Sequence, residues 1–296
     1  MIRQASVPAT PHVLMCPPDY YGINYEINPW MSRRRPSDPS RSWEQWRRLR
    51  GLIEEAGAAV SCLPPVPGLP DLVFTANAAL LCGHLAIPSR FRHPQRQAEQ
   101  SYQERWLEAC GYQLRWLPDG CCFEGAGDCL FCGDTLYAGY RQRSDVRAHH
   151  AVARMLGCRV IPLELIDPYY YHLDTAFCPL DVRTAIYHPG AFDEYGRKVL
   201  QESIANLLPV PELEARRFAC NAVVIGRTVI LNEGCPETQR QLRAHEFQPR
   251  ETPLDEFAKA GGSAKCLTLR LDGEEAAAWK YAPPLATPSP GESRAT

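Results

Sequence analysis

Polar residues recur at near-constant spacing along this chain, and each opens a β-rich run. Asn77 opens NAALLCG, Asp128 opens DCLFCGDTLYAGY, Asp174 opens DTAFCPL, Asn221 opens NAVVIGRTVILNEG and Cys266 opens CLTLRL. The intervals are 51, 46, 47 and 45 residues. A supersecondary unit repeated at such a period buries its apolar face against copies of itself. The pattern therefore predicts a ring of similar modules. A ring brings the five polar anchors around one axis, where they can form a site.

Between the anchors the chain alternates helix and strand signals. HVLMCPP reads as a first strand. Ser40 to Gly57 reads as a helix, with Trp43, Trp46, Leu49 and Ile53 at helical spacing and Gly57 as a stop. QAEQSYQERWLEACG, SDVRAHHAVARMLG (with Ser144 as N-cap and Gly157 at its end), EYGRKVLQESIANLL and CPETQRQLRAHEF read as four more helices. AVSCLP, YQLRWLP, CRVIPLE, ARRFAC and QPRETP read as the strands that follow them. This is an α/β chain with no dinucleotide-binding glycine fingerprint and no phosphate loop. Residues 1–11 read as a loose leader, 12–278 as one domain, and the Pro/Ser/Thr-rich 279–296 as a disordered tail.

Composition narrows the function classes. The formal net charge of −2 gives no electrostatic reason to expect nucleic acid or an anionic membrane as partner. No run of about 18 apolar residues marks a membrane span, and the N-terminus lacks a signal-peptide core. The thirteen cysteines are odd in number and the chain is long for a disulfide scaffold, so a reduced, cytoplasmic protein is expected. Cys129 and Cys132 have zinc-knuckle spacing, but no second pair follows. In a strand, residues three apart point to opposite faces, so no metal and no cofactor is expected.

The chemistry-bearing residues cluster in a few segments. FEGAGD places Glu124 and Asp128 around two glycines before a strand. YYHLDTAFC places His172 and Asp174 two apart, on one face of an extended segment. A thiolate nucleophile needs a base or cation nearby, and a histidine needs a carboxylate to fix its tautomer. Cys266, His172 and Glu124 can fill these roles. Asp128 and Asp174 leave surplus negative charge, which suits a cationic substrate and points toward guanidines.

PDLVFTANAALL, FEGAGDCLF, YYHLDTAFCPL and GGSAKCLTLRL together resemble the guanidino-group-modifying, or pentein, superfamily. That superfamily includes arginine deiminases, dimethylarginine dimethylaminohydrolases and amidinotransferases. The resemblance covers nearly the whole chain in order. MCPPDYYGINYEINPWM and CNAVVI are closer still to the arginine dihydrolases, which in cyanobacteria form the N-terminal part of longer proteins. The chain ends soon after Cys266, so the ornithine-processing region of those proteins, and proline formation, are not expected here.

The resemblance implies a five-bladed α/β propeller of ββαβ modules and a hydrolase of linear amidines. Cys266 would be the nucleophile, His172 the general acid/base and Glu124 its orienting carboxylate. Asp174 would hold the guanidinium, Phe74 would pack on its plane, and Asp71 would bind the α-amino or α-carboxylate end. Arg90 and Arg143 would clamp the carboxylate, with Arg141 a substitute for Arg143. Asp128 matches by motif without a defined role. Asn28 reaches the site from the first module or makes an Asn-Pro turn.

Position 77 departs from the arginine deiminase pattern, which has aspartate there. A carboxylate repels the carbonyl oxygen of a ureido product, whereas the amide of Asn77 can donate to it. Asn77 thus favours a second hydrolysis. The expected activity is conversion of L-arginine, or a related guanidine, to ornithine, ammonia and carbon dioxide. Rival activities are dimethylarginine hydrolysis, citrulline-forming deimination, amidinotransfer and non-catalytic binding. The expected partner is a small molecule, with a homo-oligomer left open.

Overall fold

Each repeat predicted from the anchors becomes one three-stranded sheet. The computed structural model describes residues 10–280. Its strands are β1 (His12–Met15), β2 (Ala59–Cys62), β3 (Ala79–Cys82), β4 (Leu85–Pro88) and β5 (Gln113–Leu114). Next come β6 (Cys129–Cys132), β7 (Thr135–Tyr140), β8 (Arg159–Glu164), β9 (Phe177–Pro179), β10 (Thr184–Tyr187) and β11 (Asn206–Pro209). The series ends with β12 (Val223–Ile225), β13 (Thr228–Asn232), β14 (Gln248–Thr252) and β15 (Leu269–Arg270). The five sheets are β15-β1-β2, β3-β4-β5, β6-β7-β8, β9-β10-β11 and β12-β13-β14.

Every sheet follows one rule. The middle strand pairs antiparallel with the first and parallel with the third, as β7 does with β6 and β8. A parallel partner needs a long crossover, and a helix supplies it in each blade. These helices are Pro39–Glu55, Gln100–Ala109, Val146–Leu156, Glu194–Ser203 and Pro236–Ala244. The result is the five-bladed α/β propeller expected from the motifs.

The helices form for local reasons. In Pro39–Glu55 the Asp38 carboxylate caps the first turn by accepting from the Arg41 N–H at 3.0 Å. Proline occupies the first helical position, where no N–H is needed. Trp46, Leu49 and Ile53 then fall on one buried face. Val146–Leu156 stops at Gly157, which takes the left-handed conformation.

Both ends of the ring meet in one blade. β15 pairs antiparallel with β1, with Val13 opposite Arg270 and Leu14 opposite Leu269. Arg270 is buried and donates to Asp272 through Nε (3.0 Å) and Nη2 (2.9 Å). Its Nη1 donates to the Val224 carbonyl of the neighbouring blade. Side chains also interlock between blades, as Tyr137 of β7 does with Phe177 of β9 at 5.4 Å between ring centres.

Several expected elements differ. ARRFAC does not form a strand: Glu212–Ala215 is a helical turn, and the third strand of that blade is Asn206–Pro209. The helix expected to run through Leu208 ends at Ser203, where the next blade edge takes over. Ser144 does not cap its helix; Asp145 occupies that position, and the Ser144 hydroxyl serves Asp128 instead. The boundary expected at 278 falls inside a packed turn, Ala278–Lys280. There Trp279 meets Phe131 edge-on, and Lys280 pairs with Asp272 at 2.8 Å. Residues 1–9 of the expected leader and 281–296 of the expected tail lie outside the described residues.

Removing one partner from a buried ion pair costs about 3–5 kcal/mol, while an exposed pair is worth about 1 kcal/mol or less. Arg270→Ala should therefore lower unfolding stability by about 3–5 kcal/mol in denaturant titration. Lys198→Ala, in the exposed pair with Glu202, should change it by less than about 1 kcal/mol. Equal effects of the two substitutions would contradict this account of ring closure.

Candidate active site

The polar anchors sit just ahead of the first strand of each blade. Asn77, Asp128, Asp174, Asn221 and Cys266 precede β3, β6, β9, β12 and β15 respectively. Single 3-10 turns at Thr75–Asn77, Gly125–Gly127 and Leu173–Thr175 deliver three of these segments to the axis. There each segment bonds to the next blade. Asn77 Nδ2 donates to the Glu124 carbonyl (3.1 Å) and the Leu173 N–H donates to Asp128 Oδ1 (3.1 Å). Asn221 Nδ2 donates to the Asp174 carbonyl (3.0 Å), and the Cys266 N–H donates to Asn221 Oδ1 (3.1 Å). The Ala76 N–H donates to the Cys266 carbonyl (3.2 Å), which closes the circle.

A narrow cavity, with room for about one water molecule, lies over this ring. Its wall contains Cys266, His172, Asn77, Asp71, Phe74, Arg143 and Asn28 from the expected set. Glu124, Asp128 and Asp174 stand behind the wall. Glu124 accepts from His172 Nε2 at 2.7 Å and from Arg143 Nη1 at 3.1 Å. Asp128 receives the Ser144 hydroxyl at 2.6 Å and, through Leu173 N–H, holds the His172 loop. Asp174 lies 3.4 Å from Cys266 Sγ.

Arg90 is the residue the structure places elsewhere. Its guanidinium pairs with exposed Asp119 at 2.8 Å in a surface groove. The second arginine of the cavity wall is Arg96. Arg141 likewise points outward, to Glu164. Asn28 makes the turn that Asn-Pro suggests: its Oδ1 accepts from the N–H groups of Trp30 and Met31. Its Nδ2 also donates to the Ala260 carbonyl at 3.0 Å, which ties the first segment over the cavity.

Three residues escaped sequence reasoning as site members. Arg96 stands one residue before the expected helix in PQRQAEQ, where nothing marks it apart from surface arginines. Tyr171 donates to the Gly261 carbonyl at 2.7 Å and packs under the Arg143 guanidinium at 4.5 Å. Asn221 is a ring anchor in the sequence pattern, and its Nδ2 lies 3.1 Å from Cys266 Sγ.

Two glycines are required by close approach. A Cβ on Gly127 would stand 2.2 Å from Asn77 Nδ2, and one on Gly262 would stand 2.6 Å from Phe74 Cε1 and 3.2 Å from Cys266 Cβ. The glycines of FEGAGD and GGSAKC thus make room for the side chains that face the cavity.

Electrostatics separate the two halves of the site. Burial by itself would raise Glu124, but Arg143 and His172 hold it well below the usual carboxylate range. An ionised Glu124 accepts only, so His172 carries its proton on Nε2, and Nδ1 is buried without a partner. On the other side, burial pushes Asp174 up to about 7. Burial and the nearby Asp174 push the Cys266 thiol well above its ordinary value, against hydrogen bonds from Ser263 and Asn221. Burial and Asp174 therefore both favour the protonated thiol. A cation beside Sγ and Asp174 would favour the thiolate.

The sequence model of N,N dimethylarginine dimethylhydrolase, eukaryotic, matches residues 29–272. The chain belongs to the N,N-dimethylarginine dimethylhydrolase family. This places it in the guanidino-group-modifying superfamily that its motifs resemble. One family relative is the bifunctional arginine dihydrolase/ornithine cyclodeaminase ArgZ of Synechocystis sp., 46% identical over 264 residues. That match covers 88% of this chain and 37% of ArgZ, so the chain spans little more than a third of that relative's length. The N(G),N(G)-dimethylarginine dimethylaminohydrolase of Mycobacterium tuberculosis is 38% identical, with 89% of this chain and 87% of that protein covered. Among solved structures, the substrate-bound N-terminal domain of ArgZ superposes with a TM-score of 0.85 at 44% identity. That match covers 88% of this chain and 98% of the domain.

A neutral alkylating reagent reports the thiol state of this family member directly. Iodoacetamide labelling of Cys266, read by peptide mass spectrometry, should stay slow at neutral pH and climb only above the ordinary thiol value of 9.0. A haloacetamidine, which carries the missing cation, should label Cys266 at neutral pH. Fast labelling by iodoacetamide at pH 7 would show that the resting thiol is already ionised.

Proposed function

We propose that the protein is an arginine dihydrolase, which hydrolyses L-arginine to ornithine, two ammonia molecules and carbon dioxide. The observation that carries this reading is the composition of one cavity wall. Cys266, a His172 oriented by Glu124, and Asn77, an amide where deiminases carry a carboxylate, face the same small space. The likeness to the N-terminal domain of ArgZ, solved with substrate and with product, supports it.

In this mechanism Asp71, whose Oδ1 is buried without a partner, takes the α-ammonium. Arg143, with donors to spare, takes the carboxylate, and Phe74 packs on the guanidinium plane. The guanidinium charge lies beside Asp174 and Sγ and offsets the cost of forming a buried thiolate. The thiol proton passes to His172 Nδ1. The Cys266 S–C bond forms at the guanidinium carbon, the C–N bond breaks, and His172 returns the proton to the departing ammonia. Water, deprotonated by His172, attacks the amidino-thioether. The S–C bond then breaks and leaves the ureido group of citrulline.

The ureido group is neutral and its oxygen needs a donor. The Asn77 amide supplies one and holds citrulline for a second attack by Cys266. The second ammonia leaves, water attacks the S-carbamoyl group, and the released carbamate breaks down to ornithine and carbon dioxide. The thirteen cysteines are all free, which supports a reducing, cytoplasmic setting. No helix among the described residues is long and apolar enough to cross a membrane.

A second reading, hydrolysis of methylated arginine, is favoured by the match to the M. tuberculosis dimethylaminohydrolase across most of both chains. Isotope-labelled arginine and dimethylarginine, offered to the purified protein, separate the two. Ornithine and labelled carbon dioxide from arginine are expected. Dimethylamine release as the faster reaction would favour the second reading, and citrulline alone would reduce the activity to a deiminase. Cys266→Ser should lower turnover at least about 10⁴-fold, as loss of a nucleophile does. Removing one oxyanion donor costs about 10²–10³-fold, so Asn77→Ala should slow the citrulline-to-ornithine step by about that factor. Asn77→Asp should shift the product toward citrulline.

A further inference from the structure

Asn77 does not set its own orientation. An amide can present either its oxygen or its NH₂, and its partners decide which. On one side Arg96 Nη1 donates to Asn77 Oδ1 at 2.9 Å. On the other, the Glu124 carbonyl accepts from Nδ2. A flipped amide would point its oxygen at that carbonyl and its NH₂ at a guanidinium, an unfavourable contact at both ends. Nδ2 keeps a second hydrogen for a ligand.

Arg96 is in turn fixed from behind. Its Nε and Nη2 donate to the two Glu99 oxygens at 2.9 and 2.8 Å, in the fork geometry of an Arg–carboxylate pair. Both side chains are almost wholly buried. The guanidinium also packs over the Phe91 ring at 4.4 Å. Its second carboxylate neighbour is Asp71, at 3.9 Å. Glu99 itself is absent from the cavity wall; it is steadied by Gln103 at 3.4 Å.

We propose that Glu99 is a positioning residue for the second hydrolysis: it locks Arg96, and Arg96 turns the Asn77 amide so that its NH₂ faces the ureido oxygen. This inference rests on the dihydrolase reading above. Without the Glu99 charge, Arg96 loses its main counterion and the fork that fixes the plane of its guanidinium. Asn77 Oδ1 then loses its donor and the amide is free to turn. The first hydrolysis, which runs on Cys266, His172 and Glu124, continues. Citrulline then escapes before its second attack.

The test compares Glu99→Gln with the unaltered full chain on labelled L-arginine, following citrulline and ornithine together. A misplacement of about 1 Å by a change remote from the chemistry costs up to about 10²-fold. The ornithine-to-citrulline ratio should therefore fall by about ten- to a hundredfold, with arginine consumption within a few-fold of normal. The ratio is independent of how much enzyme is folded, so a merely structural role would leave it unchanged. An unchanged ratio, or both products falling in parallel, overturns the proposal. Glu99→Asp keeps the charge and should give an intermediate ratio. Arg96→Lys removes the fork and should lower the ratio as Glu99→Gln does; a normal ratio in that variant also overturns the proposal. Failure of the dihydrolase reading is distinguishable, because the unaltered protein itself would then make no ornithine.

Discussion

Five hydrogen-bonded links around the axis hold this molecule together and build its site. Each blade enters the centre through a short turn whose polar residue engages the next blade. The last link, from the Ala76 N–H to the Cys266 carbonyl, joins the end of the series to its beginning. Buried backbone and side-chain groups must be paired, and here each blade satisfies its neighbour. Cys266 is a member of that circle through both its N–H and its carbonyl. The proposed nucleophile therefore sits on backbone held from both sides, which is what a preorganised site requires.

The same ring concentrates charge. Asp71, Glu124, Asp128, Asp174 and Glu99 are all buried near the axis or behind its wall, with Arg96 and Arg143 as the facing cations. The two arginines neutralise one side: Arg143 keeps Glu124 ionised, and Glu124 fixes the His172 tautomer. On the other side Lys265 acts on Asp174 but is itself paired with Glu274, and burial still raises both Asp174 and Cys266. Burial and Asp174 thus favour the protonated thiol of Cys266, and a cationic ligand would relieve both. In the proposed mechanism recognition and activation become one event, since the ligand carries the charge that the thiolate needs.

Much of this was legible in the sequence, for identifiable reasons. The anchors could be found because each module has the same length and turns to the axis at the same point. Helix positions followed from apolar spacing and glycine stops. The misread segment was 204–220, where Leu207 and Leu208 extend a helical pattern but belong to a blade edge paired with β10. Strand and helix share the same apolar residues there, and only the partner strand decides between them. Ser144 misled because a hydroxyl ahead of a helix usually caps it; in this fold a buried carboxylate claims it first. Arg90 and Arg96 illustrate the same limit. Both are arginines in one polar stretch, and only the path of the chain after β4 sends one to solvent and the other inward.

The sequence by itself determined the modular ring, the order of its blades and the candidate reactive side chains. These depend on residue type and on spacing along the chain. The tertiary structure alone decided which charges face one another. Glu124 meets Arg143 and His172, Cys266 meets Asp174 and Asn221, and Asn77 meets Arg96. Such pairings join residues far apart in the chain through blade-to-blade contacts. Their effects depend on burial and on distances of a few ångströms, and neither quantity exists until the ring has closed.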